Sequence, residues 1–261
     1  NSSFETIRTV DHEYKLIENE EDSKRLCDYL LTNDFVSLDT ETTSTNSINA
    51  ELVGLSFSYR ENQGYYVPIP ENREEAQKIL EMFRPVYECE ISLKVGQNIK
   101  YDMMVLKNYG MRVKGQLFDT MIAHYVIQPE LPHGMDNLAE IYLHYKTIHI
   151  TELIGEKGKG QKNMRDLSPA EVYRYACEDA DVTLKLKNIL EKELIEKEAD
   201  KLFYEIEMPL VPVLAYMEYN GVRIDTASLK ETSELFTARM NELEEEIHRL
   251  AGVEFNIASP K

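Results

Sequence analysis

The sequence predicts an α/β fold, a mixed β-sheet flanked by helices with a helical segment after it. Three observations lead there. Stretches of period two lie within the first hundred residues, and stretches of helical period dominate the rest. Hydrophobic residues make up 43% of the 261 positions, which is ordinary for a chain with a full core.

The stretch FVSLDTETTS, residues 35–44, opens the sheet with an apolar strand at 36–39 that runs into two acids. ELVGLSFSYR is the next strand, with Val53, Leu55, Phe57 and Tyr59 on one face and Gly54, Ser56 and Ser58 on the other. GYYVPIP is a third strand, with Gly64 available for the turn, and such short connections make the meander antiparallel. ENREEAQKILEMF reads as a helix that turns Ala76, Ile79, Leu80 and Phe83 inward. ISLKVGQN supplies another strand and IKYDMMVLKNYG a helix closed by Gly110. FDTMIAHYVI and MDNLAEIYLHY are further helices, with Asp119 and Asp136 as expected N-caps. After the basic, glycine-rich GEKGKGQKNMR, Ser168 and Pro169 open a long helix through AEVYRYACEDADVTLKLKNIL.

A first domain is expected over residues 1–198 and a second, helical segment over 199–261. In the latter, Ile206, Leu210, Val213 and Met217 show helical spacing, and NGVRID forms a turn. Phe236, Met240, Leu243, Ile247 and Leu250 then repeat at four-three-four-three spacing, a narrow seam expected to make core contacts.

The net charge is −18 and the pI near 4.8. A chain this acidic is not expected to grip duplex DNA tightly alone, because nonspecific affinity comes mainly from Lys and Arg on phosphates. A nucleic-acid role therefore needs a basic patch, a metal or a neighbouring domain. Lys157, Lys159, Lys162 and Arg165 form one basic loop, which either touches phosphates or is simply solvated. No apolar run reaches membrane-spanning length. The start, NSSFETIRTV, reads as a cut from a longer chain and not as a signal peptide. Cys27, Cys89 and Cys177, odd in number and far apart, fit a reducing cytoplasm and argue against a disulfide framework or a zinc site. No histidine pairs at metal-ligand spacing with another histidine or a cysteine, so none is assigned a catalytic role.

Chemistry enters with Asp39 and Glu41. In a strand, positions i and i+2 share a face, ~6.5–7 Å apart. Two carboxylates there repel, so either the strand ends in water or a divalent cation lies between them. Asn98 and Asp102, four apart, would share one helix face, as would Tyr175 and Asp179. Each pair alone is common; the ordered set of three is not.

With these residues the sequence resembles the 3′–5′ exonuclease (proofreading) domain of bacterial family A DNA polymerases, in the DEDD exonuclease superfamily. The resemblance rests on SLDTET, LVGLSFS, KVGQNIKYD, FDTM, MDNLAE, KTI and YACEDADVT, over residues ~35–190 in family order. IEMPLVPVLAYMEYNGVRID and FNIASPK are similar to the entry into the polymerase domain at the start of its thumb, although polymerase activity is not expected of this chain. The resemblance implies a ribonuclease H-like fold and two-metal phosphodiester hydrolysis with Mg²⁺, for which Mn²⁺ or Zn²⁺ substitutes. It implies that Asp39, Glu41 and Asp179 bind the first ion. Asp39 would bridge to a second, and Asp102 would act on that ion largely through water.

Tyr175 would orient the attacking water. A sister subclass has histidine where this chain has Arg174, so the chain falls in the tyrosine subclass. Glu41, Thr42, Gln97, Asn98 and Tyr101 match positions near the terminal nucleotides of a single-stranded DNA 3′ end. Two positions depart from the pattern: Thr45, where the family often has an apolar wedge, and Ile150, where an aromatic is known. The implied setting is a bacterial cytoplasm, with the remainder of a polymerase chain as partner, no membrane and a monomeric state. Two other readings stay open: a ribonuclease D-like RNA 3′ exonuclease, and a catalytically weak module that positions DNA.

Overall fold

A computed structural model describes residues 4–259. Asn1–Ser3 of the opening stretch, and Pro260 and Lys261 of FNIASPK, lie outside the described residues. The strands are β1 (Glu13–Leu16), β2 (Phe35–Thr42), β3 (Leu52–Ser58), β4 (Gln63–Pro68), β5 (Leu93–Gly96) and β6 (Leu117–Asp119). They form one sheet in the order β1-β4-β3-β2-β5-β6. β2, β3 and β4 make the expected antiparallel meander, while β1, β5 and β6 join in parallel.

The helices are α1 (Glu20–Leu31), α2 (Arg73–Tyr87), α3 (Ile99–Lys107), α4 (Thr120–Ile127), α5 (Met135–Leu138) and α6 (Ile150–Ile154). They continue with α7 (Pro169–Glu196), α8 (Asp200–Leu202), α9 (Met208–Asn220) and α10 (Thr226–Ala251). α7 is the spine of the molecule and packs across β1 to β5. Its start is built as the sequence suggests, with Pro169 in the first turn and a capping box between Ser168 and Glu171.

Two buried clusters flank the sheet. The larger joins α1, α2, α3 and α4 to the later half of α7 through residues such as Leu30, Leu80, Phe83, Val105 and Leu186. The smaller holds Val53, Tyr66, Met164, Leu167, Val172, Ala176 and Cys177. Asp179 sits on α7 between the residues of the two clusters.

Several expectations are corrected. β1 and α1 are additional elements; β1 has four residues of mixed character, too short for a visible period. FDTM begins as strand β6 and becomes helical only at Thr120, because Phe118 and Asp119 pair with β5. Asp119 is still the N-cap of α4, accepting from the Met121 and Ile122 amides. Asp136 is not an N-cap: Gly134 holds that place, and the Asp136 carboxylate accepts from Thr147 Oγ1 at 2.7 Å. Val53 does not share a face with Leu55 and Phe57. The register of β2 on β3 shifts between Glu41, opposite Gly54, and Thr42, opposite Leu52, so Val53 is the extra residue of a bulge and packs in the smaller cluster.

Gly64 lies inside β4 and not in the turn, which Asn62 makes with φ of 62°. A Cβ at Gly64 would meet Cys177 Cβ at 2.6 Å, so the glycine lets α7 close onto the sheet. The seam on α10 is not buried: Phe236, Met240 and Leu250 are exposed, and no residue of α10 is buried.

The chain divides into two compact units, one through Tyr219 and one from Asn220. Phe203, Met208 and Val211 belong to the larger core. No helix among the described residues is long and apolar enough to cross a membrane.

Candidate active site

β2 is paired on both sides, with β3 and with β5, so its side chains are held from two directions. Asp39 and Glu41 alternate with Thr40 and project on one face. Glu41 is buried and Asp39 half-buried. α7 crosses that face and brings Asp179 over them. One carboxylate oxygen from each of Asp39, Glu41 and Asp179 lies within 4.8 Å of the others.

Asp102, on the first turn of α3, is 2% exposed. Its Oδ1 accepts from Thr40 Oγ1 at 2.6 Å. Thr40, on the opposite face of β2 from the two acids, thus ties α3 to the strand that carries them. Its role has no signal in the sequence beyond its place between the two acids.

Burial pushes the Asp39 carboxyl up to about 7. Burial and the charges of Asp39 and Asp102 hold Glu41 well above the usual carboxylate range. Asp102 is raised by burial and Asp39, and Asp179 by burial, Asp39 and Glu41. Glu41 Oε1 and Asp179 Oδ1 are buried with no hydrogen-bond donor. Acceptor oxygens left unpaired in this way are costly, and repulsion adds to the cost. A hard divalent cation would satisfy both, since it takes oxygen ligands and neutralises converging carboxylates. The donor set therefore fits such an ion.

Tyr175 lies one turn before Asp179 on α7, where its phenol and that carboxylate interact electrostatically. Burial, then the charges of Asp179, Glu41 and Asp39, raises its phenol well above the ordinary value, so it stays protonated. Among the expected substrate contacts, Thr42 Oγ1, the Tyr101 hydroxyl and the Ser44 carbonyl meet in one hydrogen-bonded cluster, with the two hydroxyls 2.5 Å apart and their two protons shared between each other and the carbonyl. Gln97 is held at both ends, donating to the His133 carbonyl at 2.8 Å and accepting from Thr120 Oγ1. Asn98 is not on the helix with Asp102: α3 begins at Ile99, and Asn98 precedes it in a left-handed conformation, φ 59°. Its side chain is exposed and caps nothing. Thr45 is exposed and Ile150 half-buried, packed against the smaller cluster.

Asp119 is the residue that sequence reasoning undervalued. It is fully buried and accepts from four backbone amides, those of Asn98, Ile99, Met121 and Ile122. One carboxylate thereby anchors the starts of α3 and α4 and fixes the 97–98 corner. In the basic loop, Arg165 donates to the carbonyls of Ile69 and Leu52, so it is an anchor and not a free phosphate contact. His124 and His133 do pair in space, with Nδ1 atoms 2.6 Å apart.

A profile of the 3′–5′ exonuclease family matches residues 14–195. The chain is 36% identical over 266 residues to the DNA polymerase I of Borreliella burgdorferi, a match that covers all of this chain and 29% of that protein. The chain thus spans less than a third of the curated relatives it matches. A solved structure of the POL domain of Pol1 from M. smegmatis, in complex with DNA primer-template and dNTP, has a TM-score of 0.76 at 18% identity; the match covers 94% of this chain and 39% of that one. Brucella melitensis NrnC with bound Mg²⁺ has a TM-score of 0.60 at 18% identity, with 83% of this chain and 99% of that one covered. At such identity these structures speak for the fold, which is ribonuclease H-like as expected. Together with the family match over most of its length, this makes the chain a member of the 3′–5′ exonuclease family found in bacterial DNA polymerase I.

Proposed function

We propose that the chain removes nucleotides from single-stranded or frayed 3′ ends of DNA, as the proofreading part of a DNA polymerase I. Residues 1–198 would be the hydrolase, and 199–261 the first helices of the polymerase part, within a longer, monomeric, cytoplasmic chain. The observation that carries this reading is the convergence of Asp39, Glu41 and Asp179, with two buried oxygens left unpaired.

Asp39, Glu41 and Asp179 would hold one divalent ion, and Asp39 with Asp102 a second; Mg²⁺ suits these ligands, and Mn²⁺ or Zn²⁺ would substitute. Bound there, such ions lower the pKa of a bound water and stabilise the departing 3′-oxygen. The protein's own groups do the rest. The Tyr175 phenol, kept protonated, hydrogen-bonds and orients the attacking water beside Asp179. The shared contact of Thr42 and Tyr101 with the Ser44 carbonyl stiffens the stretch after the acids, against which the terminal nucleotide would rest. Gln97 and Asn98 would border the same terminus from the corner that Asp119 holds. Contacts of this kind are to backbone and base faces, which implies little sequence preference.

The test uses 5′-labelled single-stranded DNA with Mg²⁺ or Mn²⁺, beside an RNA oligonucleotide, an EDTA control and Asp179→Ala. A ladder shortening from the 3′ end of DNA, absent in EDTA and at least about a hundredfold slower in the variant, is expected. Degradation of RNA alone would overturn the substrate, and cutting that survives EDTA would overturn the mechanism.

A further inference from the structure

A second concavity, of about 840 Å³, lies among residues the proposed hydrolysis does not use. Its volume is within the range of sites for small organic ligands, ~300–1,000 Å³. It is lined by the chain near residues 6–12, by the 146–153 stretch and by the start of α7.

Its walls are tied in place. The Glu5 amide donates to the His144 carbonyl at 3.0 Å and the Lys146 amide to the Glu5 carbonyl at 2.8 Å, so the N-terminal stretch is pinned to the 144–146 backbone. Glu178, fully buried on α7, accepts from the Ile148 amide and the Tyr145 hydroxyl, both at 2.6 Å. Ligand sites are usually pre-formed in this manner.

The charge inside it is the telling feature. Arg8, Lys146 and Arg174 line the cavity. Arg8 and Lys146 have no side-chain partner among the described residues, and Arg174 has only the Tyr173 ring and hydroxyl. The two acids that also line it are engaged elsewhere. Glu152 accepts from the His149 amide, and Glu171 from the Ser168 amide and hydroxyl, each closing a helix N-terminus. A chain of net charge −18 thus keeps three cations facing one cavity without an acid bound to any of them. Guanidinium and ammonium groups so placed recognise phosphate oxygens. Beside them, Ile148, Leu153 and Leu167 give an apolar wall. The His12 ring, packed on Tyr14 with centroids 4.3 Å apart, adds an aromatic face of the kind on which bases stack.

We infer that this cavity binds a nucleoside monophosphate, its phosphate between Arg8, Lys146 and Arg174 and its base against Ile148, Leu153 and Leu167. Such binding needs neither a metal nor hydrolysis, so it stands apart from the carboxylate site. The experiment is calorimetric titration of the full chain in EDTA, where the acidic site repels anions, with thymidine monophosphate, inorganic phosphate and thymidine as probes.

Saturable one-to-one binding of the nucleotide is expected, at least tenfold tighter than either fragment. Arg8→Glu with Lys146→Glu weakens it at least tenfold; Arg174→Gln, a milder change at a third exposed position, weakens it less; Asp179→Ala leaves it unchanged. Absence of saturable binding, insensitivity to the charge reversals in a variant whose circular dichroism is unaltered, or loss in Asp179→Ala would overturn it. Equal affinity for inorganic phosphate would overturn the nucleotide assignment.

Discussion

Asp39, Glu41, Asp102 and Asp179 are each pushed toward the neutral form by burial, and the charge of Asp39 makes ionisation of the other three harder. Four such groups in one place oppose the stability of the metal-free fold while preparing it for cations. Asp179→Asn, which keeps the volume and removes a charge, is therefore expected to raise the thermal midpoint in EDTA. The same variant loses most of the further rise that Mn²⁺ brings to the native chain, since an ion bound only to the folded state stabilises it. Thermal scans of both proteins with and without Mn²⁺ check the pair of signs.

His124 offers a prediction about pH. It is fully buried, its Nδ1 meets that of His133 and its Nε2 has no partner. Burial, His133 and then Lys197 hold its pKa below the ordinary histidine value. A base with a lowered folded pKa binds fewer protons folded than unfolded, so its contribution falls as pH drops below ~6.5. Unfolding by urea from pH 7.5 to 5.5 should show the native chain losing stability more steeply than His124→Asn.

Among the elements, α7 matters most, because it carries Tyr175 and Asp179 and touches five strands. Its approach to the sheet is set by the absent side chain at Gly64. Gly64→Ala drives a methyl into Cys177 and is expected to cost about 1–3 kcal/mol in denaturant unfolding. It should also slow hydrolysis, because Asp179 lies two residues beyond the clash. α3 and α4 depend in the same way on Asp119. Asp119→Ala leaves four backbone amides without their acceptor, and a loss of about 2–4 kcal/mol is expected.

For the molecule as a whole, no residue of α10 is buried, and the larger buried cluster takes its last members from Phe203, Met208 and Val211. A chain ended after Asn220 is expected to unfold within about 0.5 kcal/mol of the full one, as changes away from buried contacts usually do. Urea titration followed by circular dichroism measures this. The apolar residues along α10, which include Phe236, Met240 and Leu250, remain exposed in the structure. The spacing that suggested core contact was real as a pattern, but a stripe on a helix says only which side is apolar, not what lies against it.

Local periodicity carried most of the information in the chain. The meander, α2, α3 and α7 were legible because each encodes its own repeat and its own caps, and Asp39 with Glu41, or Tyr175 with Asp179, share a face by spacing alone. β1, β6 and the bulge at Val53 were not legible, since short strands and register depend on which neighbour they pair with. Nor could spacing show that Thr40 would meet Asp102, that Asp119 would gather four amides, that Arg165 would grip two carbonyls or that His124 would find His133. Those contacts reach across as many as 113 residues of the chain. Sequence periodicity decides which side of an element is polar; only the packing of one element on another decides which polar groups meet, and so where the carboxylates converge.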